Sequence, residues 1–237
     1  MLNQSGKKER VWSKYFIMIF VYAIFCQFTM TVTNYVLPLY VVNALKAPVT
    51  ISGVLSSVFA AGSMICRFAT GNLADKYGRR TMMIIGAAII SVCMFALGFT
   101  TSIVIIVALK AVQGVGHALN STSSNAAASD VVPKSRYSEG IGYYAMHSTI
   151  VGAFGATIII ALMNVGSTDG AADNYSLPLM VAGACGIVAV IIAVCLNYEK
   201  TMHIARAKSS GKKFNIHDYI EVRALLPALL VMFQCIC

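Results

Sequence analysis

The stretch from residue 15 to residue 42, YFIMIFVYAIFCQFTMTVTNYVLPLYVV, decides the fold class of this chain. It contains no Asp, Glu, Lys or Arg, and it exceeds the roughly 20 apolar residues that a helix needs to cross a bilayer. It is too long for the apolar region of a signal peptide, and no small-residue cleavage site follows it. We therefore predict that this stretch is a transmembrane helix.

Further apolar stretches follow it along the chain. Five are long enough to span a membrane, at residues 51–73, 81–99, 103–129, 141–165 and 177–196. We predict that all are helices, because lipid offers no partner to unpaired backbone groups. A seventh stretch covers residues 222–237 and reaches roughly 24 Å at helical rise, short of the bilayer core of about 30 Å. We expect it to be the truncated start of a seventh helix.

The composition agrees with this pattern. Hydrophobic residues make up 58% of the chain and charged residues 11%, whereas a soluble domain carries roughly 25% charged residues. The sequence thus predicts an all-α polytopic membrane protein. Its predicted parts are a cytoplasmic tail at 1–14, a six-helix bundle at 15–196, a basic cytoplasmic linker at 197–221, and the truncated seventh helix at 222–237.

Positive charge predicts the orientation. All Lys and Arg residues except Lys46, Arg67 and Lys110 lie in the N-terminal tail, in alternate loops and in the linker, or beside them. Cytoplasmic loops carry the excess of Lys and Arg. We therefore expect a cytoplasmic N-terminus in the plasma (inner) membrane. The net charge of +9 does not indicate nucleic-acid binding, because the basic residues form no domain of their own.

Three motifs carry a family resemblance. Between the second and third stretches the chain reads GNLADKYGRR (71–80), which resembles the G-x-L-x-D-x-x-G-R-R/K motif of the major facilitator superfamily. The segment KAVQGVG (110–116) is similar to that family's R-x-x-Q-G-x-G, with Lys110 in place of arginine. The segment DVVPKSR (130–136), followed by Gly140, resembles its D-x-x-P-x-x-R-x-x-x-G pattern.

The resemblance implies the first of two six-helix bundles around a central site, with transport by alternating access. It also implies a conformational latch on the cytoplasmic face, in which a charged cluster contacts the missing second bundle. The residues that match are Gly71, Asp75, Gly78, Arg79, Arg80 and Asp130. We expect Asp75 in a short loop, Gly71 at a close approach of two helix ends, and Gly78 in a tight turn.

Polar residues at helical spacing suggest a cavity within the bundle. Intramembrane polar and ionisable residues either serve function or join helices, and both roles stay open for these positions. The candidates for substrate binding or coupling are Gln27, Thr31 and Asn34 in the first stretch, Lys110, Gln113 and His117 in the fourth, and Tyr144 and His147 in the fifth. Ser121 and Ser124 continue the series in the fourth stretch.

The predicted function is secondary transport of a small organic molecule. The motif spacing resembles the drug and sugar efflux branches, so efflux of drugs or metabolites is the leading hypothesis. Uptake of a nutrient or organic anion, and a non-transporting fragment or partner of a full-length transporter, are the alternatives. No acidic residue lies deep in an apolar stretch, so a coupling proton would reside on His147, on Lys110 or on a carboxylate of the missing bundle. A facilitator with no coupling ion is also consistent with the sequence. The sequence shows no motif for an enzyme, a cofactor or a metal.

Overall fold

The computed structural model describes residues 11–165 and 175–196, and all regular structure within these ranges is helical. The predicted linker and seventh helix, residues 197–237, lie outside the described residues, as do the first ten residues of the tail. The main helices are α1 (Lys14–Leu39), α2 (Thr50–Tyr77), α3 (Arg79–Phe99), α4 (Ile103–Val131), α5 (Tyr137–Asn164) and α6 (Ser176–Cys195). A π-helical turn, Tyr40–Ala44, extends α1, and a 3₁₀ turn, Lys134–Arg136, precedes α5.

All six helices are long and apolar enough to cross a membrane, which confirms the predicted fold class. The helix ends differ from the prediction, because helix continues past the apolar stretches into their polar flanks. The expectation that Asp75 lies in a loop is wrong, since α2 runs on to Tyr77.

Gly78 is the whole connection between α2 and α3. Its backbone has φ 92° and ψ 141°, a region that side chains with a Cβ rarely adopt. The prediction that Gly78 makes a tight turn is confirmed. The position of this glycine places the two arginines that follow it at the very start of α3.

Each helix packs against only some of the others. Helix α3 packs against α4 and α6, α1 packs against α5 and α6, and α2 packs mainly against α4. Much of α2 stays uncovered, with Met64 65% and Ile65 75% exposed. In a membrane protein such an apolar face is suited to lipid or to another apolar surface.

Polar side chains join the helices inside the bundle. The Tyr22 hydroxyl lies 2.6 Å from Asn120 Oδ1 and 3.0 Å from the Met83 carbonyl oxygen, which links α1, α4 and α3. The Ser91 hydroxyl donates to the Gly183 carbonyl oxygen at 2.8 Å and links α3 to α6. Hydrogen bonds of this kind hold helices together where water is absent.

Glycines let α4 lie against its neighbours backbone to backbone. A Cβ built at Gly114 would overlap the carbonyl oxygen of Phe59 in α2, and one built at Gly86 in α3 would lie 2.7 Å from the Asn120 nitrogen. No described atom lies within 4 Å of a Cβ built at Gly71, so the close approach expected there stays a prediction.

We expect Gly114→Ala to destabilise the bundle by about 1–3 kcal/mol, because the new methyl group forces α2 away from α4. The matched control is Gly53→Ala in α2, where a built Cβ meets no described atom within 4 Å. Detergent-induced unfolding, followed by helical circular dichroism, measures both variants. Equal unfolding midpoints for the two variants would contradict the proposed role of Gly114.

Candidate functional site

One cavity lined by described residues, called the larger cavity below, lies between α1, α4 and α5 and has a volume of about 210 Å³. Polar side chains dominate its wall, and they include four of the predicted candidates. The lining residues are Ala23, Cys26, Gln27, Met30, His117, Asn120, Ser121, Ser124, Asn125, Tyr144 and His147. A ligand in this cavity would meet amide, hydroxyl and imidazole groups together with the thioether of one methionine.

Tyr144 organises the α5 side of the larger cavity. Its hydroxyl and that of Ser124 lie 2.6 Å apart, which ties α5 to α4. The centre of the His147 ring lies 4.8 Å from that of the Tyr144 ring, with the two rings tilted, and its Nδ1 donates to the Tyr144 carbonyl oxygen at 2.6 Å. Because Nδ1 holds a proton in this bond, Nε2 of neutral His147 is an acceptor, and it becomes a donor when the ring is protonated. The side chain can therefore serve either kind of ligand.

His117 has a different environment. Its Nδ1 is buried and has no hydrogen-bond partner among the described residues. Its ring lies 5.4 Å from the ring of Phe59, which belongs to α2. A buried polar atom without a partner is costly, which makes His117 a candidate for contact with a ligand or with water.

A second, smaller pocket of about 120 Å³ lies between α1, α2 and α4. It occupies the part of the bundle near the C-terminal end of α1 and the N-terminal end of α2. Its lining residues are Thr33, Asn34, Leu37, Pro38, Ser52, Leu55, Ser56 and Lys110. Lys110 and Asn34 thus belong to a pocket separate from the larger cavity.

Lys110 is only 4% exposed. Its ammonium group donates to Gln113 Oε1 at 3.3 Å and lies 4.7 Å from the centre of the Phe59 ring. An unpaired buried charge costs several kcal/mol. A cation–π contact stabilises by about 0.5–2 kcal/mol and a hydrogen bond to a charged group by about 1.5–3 kcal/mol. These two contacts therefore offset only part of the cost of burying the Lys110 charge.

Lys110 also lacks a counter-ion within the described part of the chain. The acidic side chains described there are Asp130 and Glu139, and each is ion-paired with an arginine. The charge of Lys110 therefore faces the smaller pocket without an opposite charge from any acidic side chain that the structure describes.

A hydrogen bond separates the two cavities. Gln113 Nε2 donates to Thr33 Oγ1 at 3.1 Å and lies 3.3 Å from the Met94 sulfur, between Lys110 and His117 along α4. Gln113 is fully buried and lines neither cavity. Thr31 also lies outside both cavities, with its hydroxyl bonded to the Gln27 carbonyl oxygen and its methyl group against Gly155.

The sequence reasoning missed some lining residues. Asn120 and Asn125 lie on α4 beside the predicted series and could have been found from the same helical spacing. Ser52 and Ser56 lie four apart near the start of α2, where a serine pair in an apolar helix gives little signal before its neighbours are known.

The arginines that follow Gly78 bind helix ends inside the bundle. Arg79 forms an ion pair with Asp130 and donates to the Ala126 carbonyl oxygen at 2.9 Å, both in the last turns of α4. Arg80 donates to the carbonyl oxygens of Ala193, at 3.2 Å, and Val194 near the end of α6. Carbonyl groups near the C-terminal end of a helix carry partial negative charge, so cations suit them. The structure describes the backbone of Asp75 but not its side chain.

Comparison with known proteins bears on the family. The sequence matches the family model of the Major Facilitator Superfamily over residues 19–236. It is 28% identical over 150 residues to the quinolone resistance protein NorA of Staphylococcus aureus (strain MRSA252), which is 62% of this chain and 36% of NorA. It is 35% identical over 74 residues to the multidrug resistance protein MdtM of Escherichia coli (strain K12), which is 31% of this chain and 18% of MdtM.

The fold is similar to that of a crystallised peptide transporter, a POT mutant in complex with alafosfalin. The TM-score is 0.67 at 14% identity, over 93% of this chain and 45% of that one. The chain therefore matches less than half the length of each of these relatives. Because the family match covers nearly all of the sequence and the helices have the expected number and length, the chain belongs to the Major Facilitator Superfamily of membrane transporters.

Proposed function

We propose that the chain forms the first bundle of a secondary transporter that exports small amphipathic organic molecules by alternating access. The observation that carries this proposal is the larger cavity between α1, α4 and α5. Polar groups inside a membrane protein are costly, and they collect where a substrate path or site requires them. Efflux is favoured because NorA and MdtM are named for resistance to quinolones and to multiple drugs.

The size of the cavity supports a site shared by two bundles. Pockets for drug-sized ligands measure about 300–1,000 Å³, whereas this cavity measures about 210 Å³. A second six-helix bundle, the partner that the family architecture implies, would supply the remaining wall. Rocking of the two bundles would then expose the site to each side of the membrane in turn.

We infer that GNLADKYGRR (71–80) acts as the latch between the bundles. The ion pair of Arg79 with Asp130 and the bonds from Arg80 to α6 hold this end of the bundle together. That leaves Asp75, in the last turn of α2, as the residue proposed to meet the N-terminal end of a helix in the second bundle. Gly71 and Gly78 shape the same segment.

For proton coupling, His147 is the residue we propose within this chain. It lines the larger cavity, and an imidazole exchanges protons near neutral pH. A carboxylate on the second bundle would serve equally, since Asp130 and Glu139 are engaged with arginines.

A second candidate function is transport of an organic anion, including uptake. It is favoured by the buried ammonium group of Lys110, which has no counter-ion among the described residues. In that case the smaller pocket would hold the charged group of the substrate.

Expression of the protein from its complete gene in an efflux-deficient bacterium tests the export proposal. We expect ethidium accumulation to fall several-fold, and a protonophore to restore it if protons drive transport. Accumulation that is unchanged by expression, for ethidium and for a panel of quinolones and metabolites, would overturn the proposal.

Removal of the Tyr144 hydroxyl tests the larger cavity. We expect Tyr144→Phe to raise the apparent KM for export by up to about tenfold, because the Ser124 hydroxyl loses its partner on the cavity wall. Tyr137→Phe is the matched control, since the Tyr137 hydroxyl bonds Ser129 at 3.0 Å on the exposed surface. Equal KM values for the two variants, measured by initial rates of dye export, would place the substrate elsewhere.

Neutralisation of Asp75 tests the latch. We expect Asp75→Asn to slow export about tenfold or more while leaving substrate affinity unchanged, because the charge would act on the conformational step and not on the site. Initial export rates and equilibrium dye binding measure the two effects separately. An unchanged rate would remove the latch role from Asp75.

A further inference from the structure

We propose that the smaller pocket between α1, α2 and α4 binds a carboxylate, and that this carboxylate belongs to the transported molecule. The inference rests on the proposed transport function and names the charge class of its substrate. Lys110 and Ser52 are the two groups that carry it.

The first observation is the charge of Lys110. The side chain lines the pocket and is almost completely buried, yet its described partners are a neutral amide and an aromatic ring. The ammonium group has three N–H donors, of which Gln113 takes one. An anion in the pocket would supply both the missing charge and further acceptors.

The second observation is independent of the first. Ser52 Oγ is buried and has no hydrogen-bond partner among the described residues. Ser52 lines the same pocket from α2, opposite Lys110 on α4. Its hydroxyl can donate to one oxygen of a carboxylate while Lys110 donates to the other, which would satisfy both groups at once.

The remaining wall indicates what the carboxylate is attached to. Leu37, Pro38 and Leu55 give the pocket an apolar side, and Asn34 adds an amide. A volume of about 120 Å³ suits a carboxylate with a short hydrocarbon or aromatic body. Lys110 would repel an organic cation, so this pocket selects a negatively charged group. The larger cavity is lined by neutral polar groups and histidines, and it does not require that charge.

Binding of small probes to the chain in lipid nanodiscs tests the proposal. Benzoate, benzamide and benzylamine share one ring and differ in charge, and isothermal titration gives their dissociation constants. We expect benzoate to bind about tenfold or more tighter than benzamide, and benzylamine not to bind at the pocket. Benzamide that binds as tightly as benzoate would overturn the proposal.

Variants of the two donors locate the site. We expect Lys110→Met to weaken benzoate binding by about tenfold or more, Lys110→Arg to retain most of it, and Ser52→Ala to weaken it several-fold. Ser57→Ala is the matched control, because the Ser57 hydroxyl already donates to the Gly53 carbonyl oxygen at 2.9 Å and lies outside the pocket. Circular dichroism checks that each variant is folded. If Lys110→Met fails to fold, the Ser52→Ala variant alone tests the site. A Ser52→Ala variant that binds benzoate as tightly as the Ser57→Ala variant would contradict the proposal.

Acetate distinguishes the source of the carboxylate. Acetate that binds as tightly as benzoate would assign the pocket to a free small anion and overturn its assignment to a substrate.

The dye-export assay distinguishes a failure of the carboxylate site from a failure of the proposed transport function. Loss of benzoate binding with export intact removes only the carboxylate site, whereas benzoate binding without export of any compound removes the transport function.

Discussion

The bilayer denies water to the inside of this protein, and the structure depends on that constraint. In the described residues, backbone groups meet it by forming six long helices, since each N–H and C=O then finds its partner within one segment. Polar side chains must meet it across helices, as Tyr22 does with Asn120 and Gln113 with Thr33. Glycines such as Gly114 let the backbones of α2 and α4 approach closely. Groups that stay unsatisfied are then the best guide to where a ligand belongs.

Backbone carbonyl groups near helix ends also need hydrogen-bond donors, and the arginines after Gly78 supply some of them. Arg79 and Arg80 begin α3 and donate to carbonyl oxygens near the ends of α4 and α6. One motif thus ties three helices together at one end of the bundle. This gives the motif a structural role within its own bundle, beside the proposed contact of Asp75 with a second bundle.

Long apolar stretches made the six helices predictable, because length and hydropathy alone decide whether a segment can cross lipid. Their ends were less predictable: α2 continues through polar residues to Tyr77, since only Gly78 has a backbone that helix cannot accommodate. His117, from the polar series on α4, lines the larger cavity, whereas Thr31 lies against Gly155. Spacing shows which residues share a helix face, but not which neighbour covers that face.

Phe59 connects the two cavities and gives their separation a physical consequence. Its ring contacts His117 at the larger cavity and the ammonium group of Lys110 at the smaller pocket. A carboxylate bound to Lys110 would draw the ammonium group away from the ring, and the ring would then be freer to move against His117. If occupancy of one cavity changes the affinity of the other through this ring, the change is equal in both directions. In a transporter, such coupling would let one substrate with a charged end and an uncharged body favour a single arrangement of α1, α2 and α4.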